Sequence, residues 1–292
     1  MTDKGEMADK GGMAGADGGA VAAARDVTGR HTFVVCAYKE SGFLDDTVSR
    51  LVSQTVKSRV LISTSTPNAH IDAVAERYGL EVRINPNGGT SAKDWNFAYT
   101  QAETDYITLA HQDDVYEPSF TELTLKALDD AKNPALAYTD YYEIRHKDND
   151  SVGERVDDNK ILRVKRKMLR AIDVANRSRW LRHRVLSFGY PMSCAGTTYV
   201  KRRFPEINFI PDWHNSHDWE AVIRLASEDG EFLYIRAPLL GHRIYLESQT
   251  TNTIGSGIRY GEDLACFRHY WPEPIANAIM KQYAKAYESN VL

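Results

Sequence analysis

Cysteine is scarce in this chain: three in 292 residues, Cys36, Cys194 and Cys266, far apart and in no ligand-like spacing. An odd, scattered set makes neither a disulfide framework nor a Cys-based metal site, so a reducing, cytoplasmic setting is the simplest expectation. Long apolar runs are missing as well. No stretch reaches the roughly 20 residues needed to cross a bilayer, and the first residues lack the continuous apolar segment of a signal peptide. Any work at a membrane is therefore expected from its inner surface. There is no basic excess either: 36 Lys and Arg stand against 40 Asp and Glu, a formal net charge of -4, which argues against nucleic acid as a partner. Finally, no GxGxxG follows the first strand-like run and GxxxxGK[ST] occurs nowhere, which counts against dinucleotide and P-loop enzymes.

What is present is a core of ample size, with 42% hydrophobic residues, arranged in repeating units. Residues 1–30 are rich in Gly and Ala and are expected to be a disordered tail, with a short helix at Val21–Ala24. From His31 onward the period alternates. Thr32–Cys36 reads as a strand and Leu44–Thr55 as a helix; Ser58–Ser63 is a strand and His70–Tyr78 a helix, with Gly79 at its C-cap; Leu80–Ile84 is a strand, followed by a helix from Thr90. Tyr106–Ala110 and Ala135–Thr139 are further strands, separated by a helix after Pro118. Short connections between such units predict an α/β fold with a mostly parallel central sheet flanked by helices. Beyond a polar loop at His146–Asp158, the later elements are a helix after Ser216, short strands at Phe232–Ile235 and Pro238–Ile244, and helices at Glu262–Tyr270 and Ile275–Tyr287.

Three stretches carry chemistry. DYITLAHQDDVYEPSF, residues 105–120, is an apolar strand that delivers His111, Gln112, Asp113 and Asp114 to its carboxyl edge, where open α/β sheets bind ligands. Adjacent carboxylates there repel unless a cation or donors offset them. A divalent metal holding a phosphorylated ligand would do so; a solvated turn with Asp114 capping the next helix is the plainer reading. Residues 160–184 hold ten Lys and Arg against Asp173 alone, interleaved with apolar residues. That pattern fits solvated helices or a surface for anionic lipid. Asp218, in SHDWE, is a second candidate carboxylate, or else a residue of a helix first turn.

These residues resemble glycosyltransferase family 2, the inverting enzymes with the nucleotide-diphospho-sugar transferase fold called GT-A. TFVVCAYKESGFL is similar to the family's first strand and loop, DWNFAYTQAETDYITLAHQDDVY to the helix and strand that end in its DxD motif, SHDWEAVIRLA to its acidic motif near the acceptor, and HRIYLESQTTN to the segment after the last core strand. The resemblance implies that Asp113 contacts a metal, Mn2+ or Mg2+, that bridges the donor diphosphate, with Asp114 orienting the donor or Asp113. It makes Asp218 the general base. It places Ala37, Tyr38, Glu40, Thr64, Lys93, Asp94, Asn96 and Gln112 around the donor, and His242 and Arg243 near the diphosphate. Two departures stand out. His111 replaces the first Asp of the motif and would favour Mn2+ over a hard-oxygen Mg2+ site, and Ser63, Thr64 and Ser65 replace acidic residues after the second strand.

The resemblance implies a single GT-A-like domain over residues 31–292: a donor half (31–145), an acceptor half (146–258) with the basic segment 160–184, and C-terminal helices (259–292). It also implies transfer of a sugar from a nucleotide-diphospho-sugar to a sugar or lipid-linked glycan acceptor in cell-envelope polysaccharide assembly, in the cytoplasm at the inner membrane face, with 160–184 touching anionic lipid. The alternatives are a catalytically impaired protein that binds a nucleotide-sugar or glycan, a metal-dependent nucleotide-sugar hydrolase and, lowest, a nucleotidyltransferase.

Overall fold

The computed structural model describes residues 25–147, 152–174, 176, 178–246, 248 and 253–290. In chain order, β1 (Arg25–Asp26), β2 (His31–Ala37) and α1 (Leu44–Val52) are followed by β3 (Val56–Lys57), β4 (Arg59–Thr64), α2 (Ala69–Tyr78), β5 (Glu81–Ile84), α3 (Ser91–Thr100) and β6 (Tyr106–His111). Next come β7 (Val115–Tyr116), α4 (Phe120–Asp130), β8 (Pro134–Arg145), β9 (Glu154–Val156), α5 (Lys160–Val174) and α6 (Arg179–Leu186). The last elements are β10 (Thr197–Val200), α7 (His217–Leu225), β11 (Glu231–Ile244), α8 (Ile258–Arg268), α9 (Glu273–Tyr283) and a 3-10 segment (Ala284–Asn290).

The first-half strands are apolar on both faces because both faces are covered. In β2, Phe33 and Val35 enter one core cluster with α1 and α2, while Val34, pointing the other way, joins a second cluster with α3 and α7. A period of two thus serves two cores, as buried parallel strands require. β5, β4, β2 and β6 pair in parallel in that order, with Ala37 opposite Thr64 and Cys36 opposite His111. Their carboxyl ends lie side by side. The exposed edge, β5, carries Glu81 and Arg83, charges that discourage further pairing. Gly79 caps α2 in the left-handed region, φ 64°.

The second half departs from the expected pattern in several places. β10 inserts antiparallel between β6 and β8, so the sheet is mixed beyond β6. The strand expected at Ala135–Thr139 runs on to Arg145, and Asp140, Tyr141, Tyr142 and Glu143 lie within it. The strands expected at Phe232–Ile235 and Pro238–Ile244 are one, β11, parallel to β8, with register shifts around Pro238. A proline cannot donate to the ladder, and the irregularity absorbs it. Part of the polar loop at His146–Asp158 forms β9 against β8. The helix placed at Glu262–Tyr270 starts earlier, at Ile258. The helix expected at Val21–Ala24 lies outside the described residues, while Arg25–Asp26 already pairs with β3.

The ten cations of the basic segment are less free than their sequence neighbours imply. Arg163 pairs with Asp158 and Arg166 with Asp140, Arg236 takes Asp173, and Arg182 is buried with its guanidinium on the carbonyls of Glu228 and Gly230. Asp158 is a near neighbour in sequence, but Asp140, Arg236 and the two carbonyls come from elsewhere in the chain, where no local pattern could show them.

Asn96 joins the two halves. Its Nδ2 donates to the Phe209 carbonyl and its Oδ1 accepts the Phe209 N–H, each at 2.7 Å. Asn96→Ala leaves both backbone groups without these partners. It is expected to lower stability by about 1–3 kcal/mol in urea unfolding; an unchanged midpoint would mean that the 209 loop is held by other contacts.

Candidate active site

One large cleft, with a volume of about 2100 Å³, opens where the carboxyl ends of β2, β6 and β11 meet the start of α7. Beneath its lining residues His111, Asp113, His242 and Arg243 lies Asp114, which is not itself part of the lining. This side chain is 0% exposed, and its Oδ1 accepts from His242 Nδ1 and from the Arg243 backbone N–H, both at 3.1 Å. Because a carboxylate can only accept, His242 carries its proton on Nδ1 in this pairing. Asp114 therefore does not cap the following helix. It ties the end of β6 to the end of β11, and α4 begins six residues later.

The neighbouring Asp113 faces the cleft. Its Oδ2 accepts from the Tyr245 hydroxyl at 2.8 Å, and its carbonyl accepts from Arg243 Nη1 at 2.8 Å. The Arg243 guanidinium also reaches Asp46 at 2.5 Å and lies over the Phe43 ring. Arg243 is thus a clasp between α1 and the Asp113 turn. Two adjacent carboxylates buried together must divide their charge unequally. Burial alone would raise Asp114, but the facing His242 and His111 and the Arg243 N–H hold it below the usual carboxylate range. Burial and then the Asp114 charge push Asp113 up. His242 is lowered by burial yet raised more by the two carboxylates, for a net rise.

His111, Asp113 and Asp114 each offer a ligand atom within 4.8 Å of the others. Two buried atoms of this group, His111 Nε2 and Asp114 Oδ2, have no hydrogen-bond partner among the described residues, and His111 Nδ1 stands 3.6 Å from Asp114 Oδ2. Unpartnered buried acceptors beside paired carboxylates suit a divalent cation. One nitrogen in the set suits Mn2+ better than Mg2+.

The other candidates divide into those the fold brings to the cleft and those it does not. Ala37, Tyr38 and Glu40 line it, and the Gln112 amide clasps the Tyr38 backbone from both sides, at 2.9 Å to its N–H and 3.1 Å to its carbonyl. Asp94 also lines it, held by Ser65 at 2.8 Å and Asn85 at 2.7 Å. Thr64, Lys93 and Asn96 do not. Thr64 is buried in a local turn, accepting from the Thr66 N–H, Lys93 reaches toward Asp212, and Asn96 is spent on Phe209. Of the SQTTNT segment, Ser248 and Thr253 line the cleft and residues 249–252 lie outside the described ones.

Asp218 lines the same cleft in the first turn of α7. Burial pushes its carboxyl up to about 7, against the Trp219 N–H at 2.8 Å and the nearby Arg259 charge, which pull the other way. It is linked to the Asp113 centre through one aromatic residue: the Trp95 indole packs against His111 at 4.8 Å and, edge to face, against His217 at 4.3 Å.

Sequence reasoning missed what holds this turn. Both carboxylate oxygens of Glu262, on α8, accept consecutive backbone N–H groups of His214, Asn215 and Ser216 at 2.7, 2.8 and 2.8 Å. The Ser216 hydroxyl, at the N-cap position of α7, makes no capping hydrogen bond and donates to Asp263 at 2.5 Å. The carboxylates of the neighbouring helix thus hold the turn that leads into α7. Nothing in the spacing of Glu262 and Asp263 distinguishes them from any acidic pair on a helix.

A family model for Glycosyl transferase family 2 matches residues 32–187, over half of the chain. The chain belongs to glycosyltransferase family 2. Solved structures with the same fold include TarS 1–349 of S. aureus, with a TM-score of 0.58 and 12% identity over 86% of this chain and 69% of that one. The same protein with UDP-GlcNAc gives 0.57 and 11%, over 87% and 71%. A mannosyltransferase of Pyrobaculum calidifontis, in complex with GDP-Man and Mn2+, gives 0.54 and 12%, over 89% and 70%. At such identities the likeness is one of fold, GT-A. No curated protein matches the chain.

The raised Asp218 has a stability signature in this family 2 protein. In the unfolded chain an Asp ionises near pH 4, and in the fold near 7. Between these values the folded state binds the extra proton, so this group's contribution to stability declines as pH rises through the window. Asp218→Asn is expected to flatten that slope and to be the more stable form at pH 8, by about 1 kcal/mol or more. Parallel slopes for the two proteins in urea titrations from pH 4 to 8 would show that Asp218 ionises normally.

Proposed function

We propose that this protein transfers a sugar from a nucleotide-diphospho-sugar to a hydroxyl of a sugar or lipid-linked glycan, with inversion, in cell-envelope polysaccharide assembly at the cytoplasmic face of the membrane. The observation that carries the reading is the pairing, in one cleft, of two acidic centres of opposite character. One is a cation-seeking group, His111 with Asp113 and Asp114; the other is a carboxyl, Asp218, near Asp263 and raised by burial to about 7.

Displacement of a nucleoside diphosphate needs its developing charge neutralised and the incoming hydroxyl deprotonated. Mn2+ or Mg2+, held by Asp113 and His111, would supply the first as a Lewis acid on the diphosphate. Asp114, ionised beneath them, orients this group through His242 and Arg243. Asp218 takes the proton of the acceptor hydroxyl. A base with a pKa near 7 suits this task, being ionised at neutral pH yet basic enough to accept the proton. Attack assisted from a centre separate from the leaving group needs no covalent intermediate and inverts the anomeric carbon. Ala37, Tyr38, Glu40 and Asp94 are our assignment for the donor nucleoside. Peripheral contact of residues 160–184 with anionic lipid is supported by Lys167 and Arg170, which have no ion-pair partner among the described residues, and by Trp180, 72% exposed.

Two experiments test the reading. Calorimetric titration with UDP-, GDP- and dTDP-sugars should find one donor whose binding depends on Mn2+, and Asp113→Ala should abolish that dependence. Metal and donor binding together as tightly to the variant would overturn the assignment, and turnover of donor without acceptor would mark a hydrolase. Asp218→Asn should keep donor affinity and lose about 10²–10⁴ in kcat. In the wild type kcat/KM should rise with pH through about 7 and then level off, as the base of the free protein loses its proton. A rate independent of pH across that range would exclude Asp218 as the base.

A further inference from the structure

Behind Asp218 stands a pair of opposite charges that the transfer chemistry leaves unused. Asp263 and Arg259 lie one turn apart on α8, and both line the cleft with Asp218. The Asp263 carboxylate is buried and held on both oxygens: Oδ1 accepts from the hydroxyl of Ser216, two residues before Asp218, at 2.5 Å, and Oδ2 accepts from Tyr287 in the 3-10 segment. Arg259 Nε stands 3.5 Å from that Oδ2, and the guanidinium lies over the Tyr287 ring at 4.8 Å. Nε is itself buried with no hydrogen-bond partner among the described residues. The cation is thus held by charge and by a ring face rather than by a directed bond at this nitrogen.

The other groups around Asp218 carry no charge near neutral pH. Tyr190 and Cys194 precede β10, Tyr199 lies in it and Cys266 is on α8, and burial pushes each of these hydroxyls and thiols well up. Burial raises Tyr283 and Tyr287, beside Arg259, in the same way. Glu220 is paired with Arg224 at 2.8 Å, and Glu262 is spent on three backbone N–H groups. Arg259 and Asp263 are the charges left facing Asp218. Against the background of burial, the cation favours its ionised form and the carboxylate its neutral form.

We propose that Arg259 is a positioning residue for Asp218: seated between the Asp263 carboxylate and the Tyr287 ring, it holds a positive charge behind the carboxyl and keeps it available as a base at neutral pH. Without that charge, burial and Asp263 together hold the proton on Asp218. That Asp218 serves as the base rests on the transferase reading; that Arg259 governs its ionisation does not.

The test is a carbon-13 NMR titration of the Asp218 side-chain carboxyl in the full chain, without donor or metal, its signal assigned by its loss in Asp218→Asn. Arg259→Met keeps the length of the side chain and removes the charge; it should move the midpoint up from about 7 by about one pH unit. Arg259→Lys restores the charge and should bring the midpoint at least halfway back. Asp263→Asn should move it down, and it keeps the question open to measurement if Arg259→Met does not fold. An unchanged midpoint in folded Arg259→Met, or equal shifts in the Met and Lys variants, would reduce Arg259 to a packing role and overturn the proposal. So would a midpoint that fails to fall in Asp263→Asn. The rising limb of kcat/KM against pH is a separate readout and should follow the same shifts. Carboxyl midpoints that move while kcat/KM does not would refute Asp218 as the base and leave the role of Arg259 standing.

Discussion

The structure depends on a carboxylate with no access to solvent. Asp114 is the point where β6, in the parallel half of the sheet, is joined to β11, in the mixed half. Burying an ion costs heavily unless donors meet it, and here the donors come from residues about 130 positions later in the chain. The end of β11 must therefore dock before the β6 edge can hold its charge. That docking also places His242, Arg243 and Tyr245 around Asp113. One satisfied buried charge thus determines the orientation of the group that faces the cleft.

The second centre is built by a different means. Asp218 has few partners and is burdened by burial, while the turn that carries it is held by the adjacent helix α8 through Glu262 and Asp263. With the backbone of this turn so held, the Asp218 carboxylate itself accepts the Trp219 N–H and is poorly solvated, a combination that suits a base. Trp95, packed on both His111 and His217, spaces the two centres without bridging their charges.

α5, which lines the cleft, divides its surface three ways: a buried face for the core, a charged face whose partners include Asp140, Asp158 and Arg236, and an apolar face left to the cleft. Amphipathic period alone separates the charged face from the other two. It cannot separate an apolar cleft lining from an apolar core, because both follow the same 3.6-residue spacing.

The sequence by itself determined the parallel half of the fold and the strand that ends in His111, Gln112, Asp113 and Asp114. Alternating apolar residues and cap-forming residues such as Gly79 act over a few neighbours, so they are legible locally. Asp218 was legible as a carboxylate at a helix start, and the motif order carried the family. Only the tertiary structure decided that Asp114 is a buried tie rather than a helix cap, that Asn96 and Lys93 serve loops rather than the cleft, and that β11 is one bulged strand. It also decided that Glu262 and Asp263 hold the turn that leads to Asp218. In each case the deciding partner lies far along the chain or on a packed neighbour, and the free energy of a hydrogen bond or a buried charge depends on that partner, not on the residues beside it.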